Sequence, residues 1–253
     1  MDHISVKVIS QLQDNYSFIL RNNTNDACVI DPAESLPIIE YVNRHRLKIS
    51  DIFITHHHSD HTSGIEGIIN YFPNVNIHSP NSRIKNTRFV LSNEDEIETQ
   101  INSFKIISTP GHTLDHIVYL DDHNKILFCG DTLFRLGCGR VFEGSLDQMF
   151  SSLQKINELD NNLKIYCGHE YTLNNLNFLE SVLNKKELFF SIRQKIEEDL
   201  RNNKKSVPFY LIEEKSYNLF LNQESEIGNS IKKELRMKNF TLFQHLREKK
   251  DNF

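Results

Sequence analysis

Along the first two thirds of the chain, apolar residues come in short runs broken by Asn, Asp, Gly and Pro; along the last third they recur every three or four positions. The runs Val6 to Ile9, Ser17 to Leu20, Ala27 to Ile30 and Ile52 to Ile54 are rich in β-branched or aromatic side chains and predict strands. Between the last two, Leu36, Ile38, Ile39 and Val42 keep helical spacing behind Pro32 and Ser35 and predict a helix. Ile65, Ile68 and Ile69 mark a short helix closed by Pro73. Further strands are expected at Val75 to Ile77, Phe104 to Ile107, Ile117 to Leu120, Lys125 to Cys129 and Leu163 to Cys167. Met149, Phe150, Leu153 and Ile156 predict a helix between the last two. From about Thr172 the spacing is helical: Leu173, Leu176, Leu179, Val182 and Leu183, then Leu188, Ile192, Ile196 and Leu200, then Ile227, Ile231 and Leu235. The change of period puts a boundary near residues 168 to 175, with the helices docking their apolar stripes on the strand-rich part.

A length of 253 residues suits one large domain or a domain with a smaller appendage. Hydrophobic content of 38% and charged content of 25% describe an ordinary globular chain with a sizeable core. No run of about 18 apolar residues occurs, and Met1-Asp2-His3-Ile4-Ser5 lacks the basic, then apolar, character of a signal peptide. The expectation is a cytoplasmic protein without a membrane partner. Cys28, Cys129, Cys138 and Cys167 show no C-x-x-C spacing, which points to free structural thiols rather than a thiolate zinc site or disulfides. A net charge of −5 gives no reason to expect a nucleic-acid partner, but the charge is uneven. Residues 1–184 hold 14 Lys and Arg against 23 Asp and Glu, a net −9, whereas residues 185–253 hold 15 against 11, a net +4. The cationic end suits an anionic ligand or a solvated helical surface.

The densest chemistry lies in Thr55-His56-His57-His58-Ser59-Asp60-His61, directly behind the apolar run Asp51 to Ile54. Four imidazoles and a carboxylate this close repel when charged and bind divalent metals when not. Three later segments repeat one design, an apolar strand, a glycine and a ligand-type residue: Gly111-His112, Gly130-Asp131 and Gly168-His169. Glycine allows the close backbone approach that turns the next side chain toward a crowded point. The candidates are then His56, His58, Asp60, His61, His112, Asp131 and His169, too many for one tetrahedral zinc and about right for two metals sharing a carboxylate. In an extended segment His56 and His58 point the same way and His57 the opposite way, so His57 is expected to support the ligands rather than join them. Asp60 and His61, where the chain turns toward a helix, are assigned to the second ion.

These motifs resemble the metallo-β-lactamase-fold hydrolases and, among them, the glyoxalase II (hydroxyacylglutathione hydrolase) family. T-H-H-H-x-D-H at 55–61, P-G-H-T at 110–113, G-D-T-L-F at 130–134, G-C-G-R at 137–140 and Y-C-G-H-E-Y-T at 166–172 match in order. The tail Arg247-Glu248-Lys249-Lys250-Asp251-Asn252-Phe253 fits the family's R-x-x-K-D-x-F. The resemblance implies an α+β fold: a metallo-β-lactamase-like αββα sandwich over residues 1–170, followed by a smaller all-α domain over 171–253. It implies that His56, His58 and His112 hold a first metal, that Asp60, His61 and His169 hold a second, and that Asp131 bridges them. Arg140, Tyr171, Arg247 and Lys250 are the implied glutathione contacts. The chain departs from the family at Phe142, where some members have Tyr, and at Asn218-Leu219-Phe220-Leu221-Asn222, often N-P-F-L-R.

The expected reaction is attack of a metal-bridging hydroxide on the thioester carbonyl of an S-(2-hydroxyacyl)glutathione, foremost S-D-lactoylglutathione, with Asp60 and Asp131 as the catalytic carboxylates. A thiolate leaves without a dedicated acid, in keeping with the lack of a convincing Ser-His-Asp or Cys-His set. Imidazole and carboxylate ligands suit zinc, with iron and manganese as alternatives. The expected partner is a small-molecule glutathione thioester, and the expected state a monomer. The rivals are another hydrolase or a persulfide dioxygenase of the same superfamily, and a metal-binding interaction module without catalysis.

Overall fold

The structure is a computed structural model, and residues 4–253 are described. Met1 to His3, on which the reading of the chain's start partly rests, lie outside the described residues. Contacts divide the chain into two compact units, one of residues 1–108 with 115–130, the other of residues 109–114 with 131–253.

In the first unit, β1 (Ser5–Gln11), β2 (Asn15–Arg21) and β3 (Asp26–Ile30) form an antiparallel meander. Helix α1 (Ser35–His45) crosses over to β4 (Lys48–Phe53), which pairs parallel to β3. Behind β4 come α2 (Ser59–Thr62) and α3 (Ile65–Tyr71), then β5 (Asn76–Ser79) and β6 (Phe89–Val90), each parallel to its neighbour. A second sheet follows as an antiparallel run of β7 (Glu96–Glu98), β8 (Ser103–Ser108), β9 (Ile117–Asp121) and β10 (Ile126–Gly130). The period of two decides what each face of the first sheet meets. Ile19, Val29, Ile52 and Ile54 turn to Ile38 and Val42 of α1 and Ile65 and Ile68 of α3. Phe18 and Phe53 turn to the second sheet, with ring centroids 5.3 Å from Phe128 and 5.1 Å from Phe104. The result is a helix layer on two packed sheets.

The second unit carries the hairpin of β11 (Leu133–Phe134) and β12 (Gly137–Cys138), then α4 (Leu146–Asn157), whose first turn is closed by a Ser145–Gln148 capping box. β13 (Lys164–Cys167) leads to α5 (Thr172–Leu183), a short 3-10 turn at Lys186–Phe189 and α6 (Phe190–Asn203). A two-residue strand, β14 (Phe209–Tyr210), pairs antiparallel with β13 before α7 (Leu211–Tyr217), α8 (Glu226–Leu235) and α9 (Asn239–Asp251). The expected all-α tail is therefore interrupted once. β14 is too short to show an alternating pattern in the sequence, and it exists because β13 offers it a backbone ladder. Among the described residues no helix is long and apolar enough to cross a membrane.

Candidate metal centre

In the first unit, β4 stops at Phe53 and the histidine loop is pinned by its backbone. Tyr119 Oη donates to Ile54 O at 2.7 Å, and Ile117 N donates to Thr55 O at 2.9 Å. Asp31, directly behind β3, is buried in left-handed backbone, φ 47°, a region Asp tolerates better than most residues. Its Oδ1 accepts from Thr55 N at 2.8 Å, and its Oδ2 accepts from Thr55 Oγ1 at 2.7 Å. His61 Nδ1 lies 3.1 Å from the same Oδ2. Because the Thr55 hydroxyl hydrogen is committed to Asp31, the 3.0 Å contact of Thr55 Oγ1 with His56 Nδ1 makes that nitrogen the donor. One carboxylate thereby puts the hydrogen of both His56 and His61 on Nδ1 and leaves each Nε2 lone pair for a cation.

The loop's other members converge on the same place. The rings of His56 and His58 are 4.7 Å apart and those of His56 and His61 4.2 Å apart, with ligand atoms within 4.8 Å in each pair. Asp60 in α2 is held by Asn15, whose Nδ2 donates to Oδ2 at 2.9 Å, and that oxygen lies 3.7 Å from His61 Nε2. His57 has other neighbours. Its Nδ1 is 2.9 Å from Asp115 Oδ1, and Asn81 Nδ2 donates to the other oxygen of Asp115 at 3.3 Å. Gly130 ends β10 at φ 45°, where a Cβ would stand 2.5 Å from Thr55 Oγ1. The step before Asp131 therefore demands glycine on two grounds, conformation and space.

In the second unit, His112, Asp131 and His169 are all buried. Asp131 Oδ2 lies 3.5 Å from His112 Nε2 and 3.2 Å from His169 Nε2. His112 Nδ1 donates to Arg140 O at 2.7 Å, so its Nε2 also carries the lone pair. A lone pair facing a carboxylate oxygen at that distance repels it unless a cation or a proton is shared, and the donors are imidazole and carboxylate without thiolate. Both clusters fit a divalent metal. Tyr171 stacks flat on His169, with centroids 4.8 Å apart at 7°, and Phe134 meets Tyr171 edge-on at 5.1 Å.

The expected substrate contacts lie in the same unit as His112, Asp131 and His169. Arg140 is exposed, with its guanidinium 5.5 Å above the Phe142 ring and its Nε 3.7 Å from Asp251 Oδ1. Lys250 Nζ donates to Asn174 Oδ1 at 2.6 Å and lies 5.1 Å from the rings of Phe178 and Phe253; burial, then the charge of Arg247, lowers its pKa to about 8. Arg247 is different. It is only 5% exposed, and its guanidinium donates to Cys138 O at 3.0 Å and to Asp251 Oδ1 at 2.7 and 3.1 Å. It ties α9 to β12.

Asp31, Asn15 and Asp115 escape a reading of the sequence because none is marked there as a ligand. The one local signal is Asp31-Pro32 at the carboxyl end of a strand that pairs parallel, where side chains commonly reach a site.

A fold of two packed sheets with histidine and aspartate clusters at strand ends is that of the metallo-β-lactamase superfamily, whose family profile matches residues 11–169. The fold recurs in ETHE1 from Myxococcus xanthus, with a TM-score of 0.66 at 21% identity, covering 95% of each chain. It recurs also in TTHA1623, solved in a di-iron-bound form, with a TM-score of 0.54 at 20% identity, covering 64% of this chain and 90% of that one. A second profile, the hydroxyacylglutathione hydrolase C-terminus, matches residues 170–253. The hydroxyacylglutathione hydrolase of Aliivibrio fischeri is 37% identical over 99% of this chain and 100% of its own, and that of Citrobacter koseri is equally similar. The chain belongs to the hydroxyacylglutathione hydrolase family.

Proposed function

We propose that the chain hydrolyses S-(2-hydroxyacyl)glutathione, foremost S-D-lactoylglutathione, to glutathione and a 2-hydroxy acid such as D-lactate, the second step of methylglyoxal detoxification. The observation that carries this reading is that Arg140, Tyr171 and Lys250 share one compact unit with His112, Asp131 and His169. Cationic side chains suited to a peptide-like thiol's carboxylates thus accompany part of a metal-ligand set. The functional boundary is proposed at 170/171, supported by the two family matches, which meet at 169/170.

His56, His58 and His112 would hold one divalent ion and Asp60, His61 and His169 another, with Asp131 bridging; zinc is the first choice, and iron and manganese also suit these donors. When bound, such ions supply Lewis acidity at a carbonyl and a nucleophilic water at neutral pH. The chain's own residues do the rest. Asp31 and Thr55 keep the imidazoles in the ligating tautomer, and Asn15 fixes the Asp60 carboxylate. Tyr171, stacked on His169, covers that ring against solvent. Arg140 and Lys250 attract the substrate's carboxylates at a distance from the chemistry, so their binding energy orients the thioester. The leaving thiolate needs no acid from the protein. Among the described residues the four cysteines are buried and form no disulfide, which suits a reducing, cytoplasmic setting, and the proposed working form is a monomer without nucleic-acid or membrane partners.

Spectrophotometric assay of S-D-lactoylglutathione, phosphodiester and lactone substrates, with and without chelator, tests the reading. Chelator-sensitive hydrolysis of the thioester is expected. Turnover of only another substrate, or thioester turnover indifferent to chelation, refutes it.

A further inference from the structure

The β11–β12 hairpin joins Asp131 to Arg140, and it is too small to hold its own shape. Two residue pairs make its ladder, Leu133 with Cys138 and Phe134 with Gly137, around a left-handed Leu136 at φ 59°. Four of its backbone groups are taken up by side chains from α5, α7 and the residue that caps α7. Leu136 N donates to Glu214 Oε2 at 2.7 Å. Asn218 Nδ2 donates to Phe134 O at 3.1 Å and Gly137 O at 3.0 Å, and lies 2.8 Å from the same Glu214 Oε2. Asn175 Nδ2 donates to Arg135 O at 3.0 Å. The Arg135 side chain is drawn the other way, 2.9 Å from Asp199 and 3.5 Å from Glu213.

Glu214 and Asn218 are fully buried and neither touches a candidate ligand. Past the hairpin, Gly139 N donates to Thr132 O at 3.2 Å, and a Cβ on Gly139 would fall 1.9 Å from Asp131 O. That tight closure leaves no slack, so a displaced hairpin displaces Arg140. We propose that Glu214 and Asn218 are positioning residues that clamp this hairpin and so aim Arg140 at the thiol half of the substrate. The inference rests on the reading of Arg140 as a substrate contact.

The test compares Glu214→Leu, Glu214→Asp, Glu214→Gln, Asn218→Asp and Arg140→Ala in the full-length, metal-loaded protein by KM, kcat, metal content and thermal midpoint. For Glu214→Leu, Glu214→Asp and Asn218→Asp, KM for S-D-lactoylglutathione is expected to rise about 5- to 20-fold with kcat within about threefold, the size of one or two lost hydrogen bonds. Metal content should hold. Glu214→Gln keeps an acceptor for Leu136 N and should stay within about twofold of the parent KM. Glu214→Asp and Asn218→Asp keep the test alive if the leucine variant does not fold. A folded variant of lower thermal midpoint but unchanged KM overturns the proposal, as does loss of kcat and metal in step. An unchanged KM in Arg140→Ala overturns it too, and identifies the substrate-contact reading as the part that failed.

Discussion

Asp31 Oδ2 lies 3.1 Å from His61 Nδ1, and both side chains are only 1% exposed. With Thr55 on the same carboxylate, Asp31 governs two candidate-ligand imidazoles at once, one directly and one through a hydroxyl. Asp31→Asn removes the charge and one of the accepting oxygens, so the imidazoles lose the partner that fixes their tautomer. Metal affinity should fall roughly 10- to 100-fold, the usual effect of removing such a support. Competition against a chromophoric chelator measures it. Affinity equal to the parent's would remove the orienting role.

Asp131 offers one oxygen to two histidines, at 3.5 and 3.2 Å. If Asp131 bridges two ions as proposed, Asp131→Asn is expected to lower bound metal and turnover together, because an amide cannot replace a carboxylate shared by two cations. Metal analysis beside kinetics decides the matter. Full activity with one equivalent of metal would retire the bridging role.

How far the sequence reaches is plain at these residues. Glycine steps and clustered histidines are local signals, and the structure places His56, His58, Asp60 and His61 together in one unit and His112, Asp131 and His169 together in the other. Strands rich in β-branched and aromatic side chains, such as β2 and β8, are equally legible. Asp31 is not, because its meaning lies in a partner 30 residues on, and single carboxylates after strands are common. Arg247 differs from expectation in emphasis. The tail motif implies a substrate contact, whereas burial against Cys138 and Asp251 makes this side chain chiefly a brace. Spacing along a helix shows which side chains share a face, and burial then depends on what packs there.

As a proposed substrate contact, Lys250 predicts a pH signature. Its amine, lowered to about 8 by burial and then by Arg247, is cationic below that pH and neutral above it. Attraction for a substrate carboxylate should therefore be lost as pH rises through about 8. We expect kcat/KM for S-D-lactoylglutathione, corrected for spontaneous hydrolysis, to decline with an inflection near 8. Lys250→Arg should move that decline out of the accessible range, since a guanidinium stays charged. The same inflection in both proteins would assign it to another group.

Glu214 makes the opposite kind of prediction, on stability instead of binding. Burial raises its carboxyl from 4.5 to about 7. Arg135 and the hydrogen bonds from Leu136 N and Asn218 pull it down, and Glu213 on its own helix pushes it up. Around them, Asp199 and Lys195 of α6 engage Arg135 and Glu213. Between about pH 4.5 and 7 the unfolded chain has released this proton and the native state keeps it, so stability falls as pH rises across that window. A tenfold difference in proton affinity between the two states is worth about 1.4 kcal/mol, which makes the loss of order 3 kcal/mol. Glu214→Gln cannot titrate. The difference in unfolding free energy between parent and Glu214→Gln, from urea titrations at several pH values, should move against the parent from about pH 5 to pH 7 and level off above. Other carboxylates and the histidines contribute equally to both proteins and drop out of the difference. A difference independent of pH would mean that Glu214 is ionised throughout, with Arg135 and Asn218 stabilising its charge better than burial opposes it.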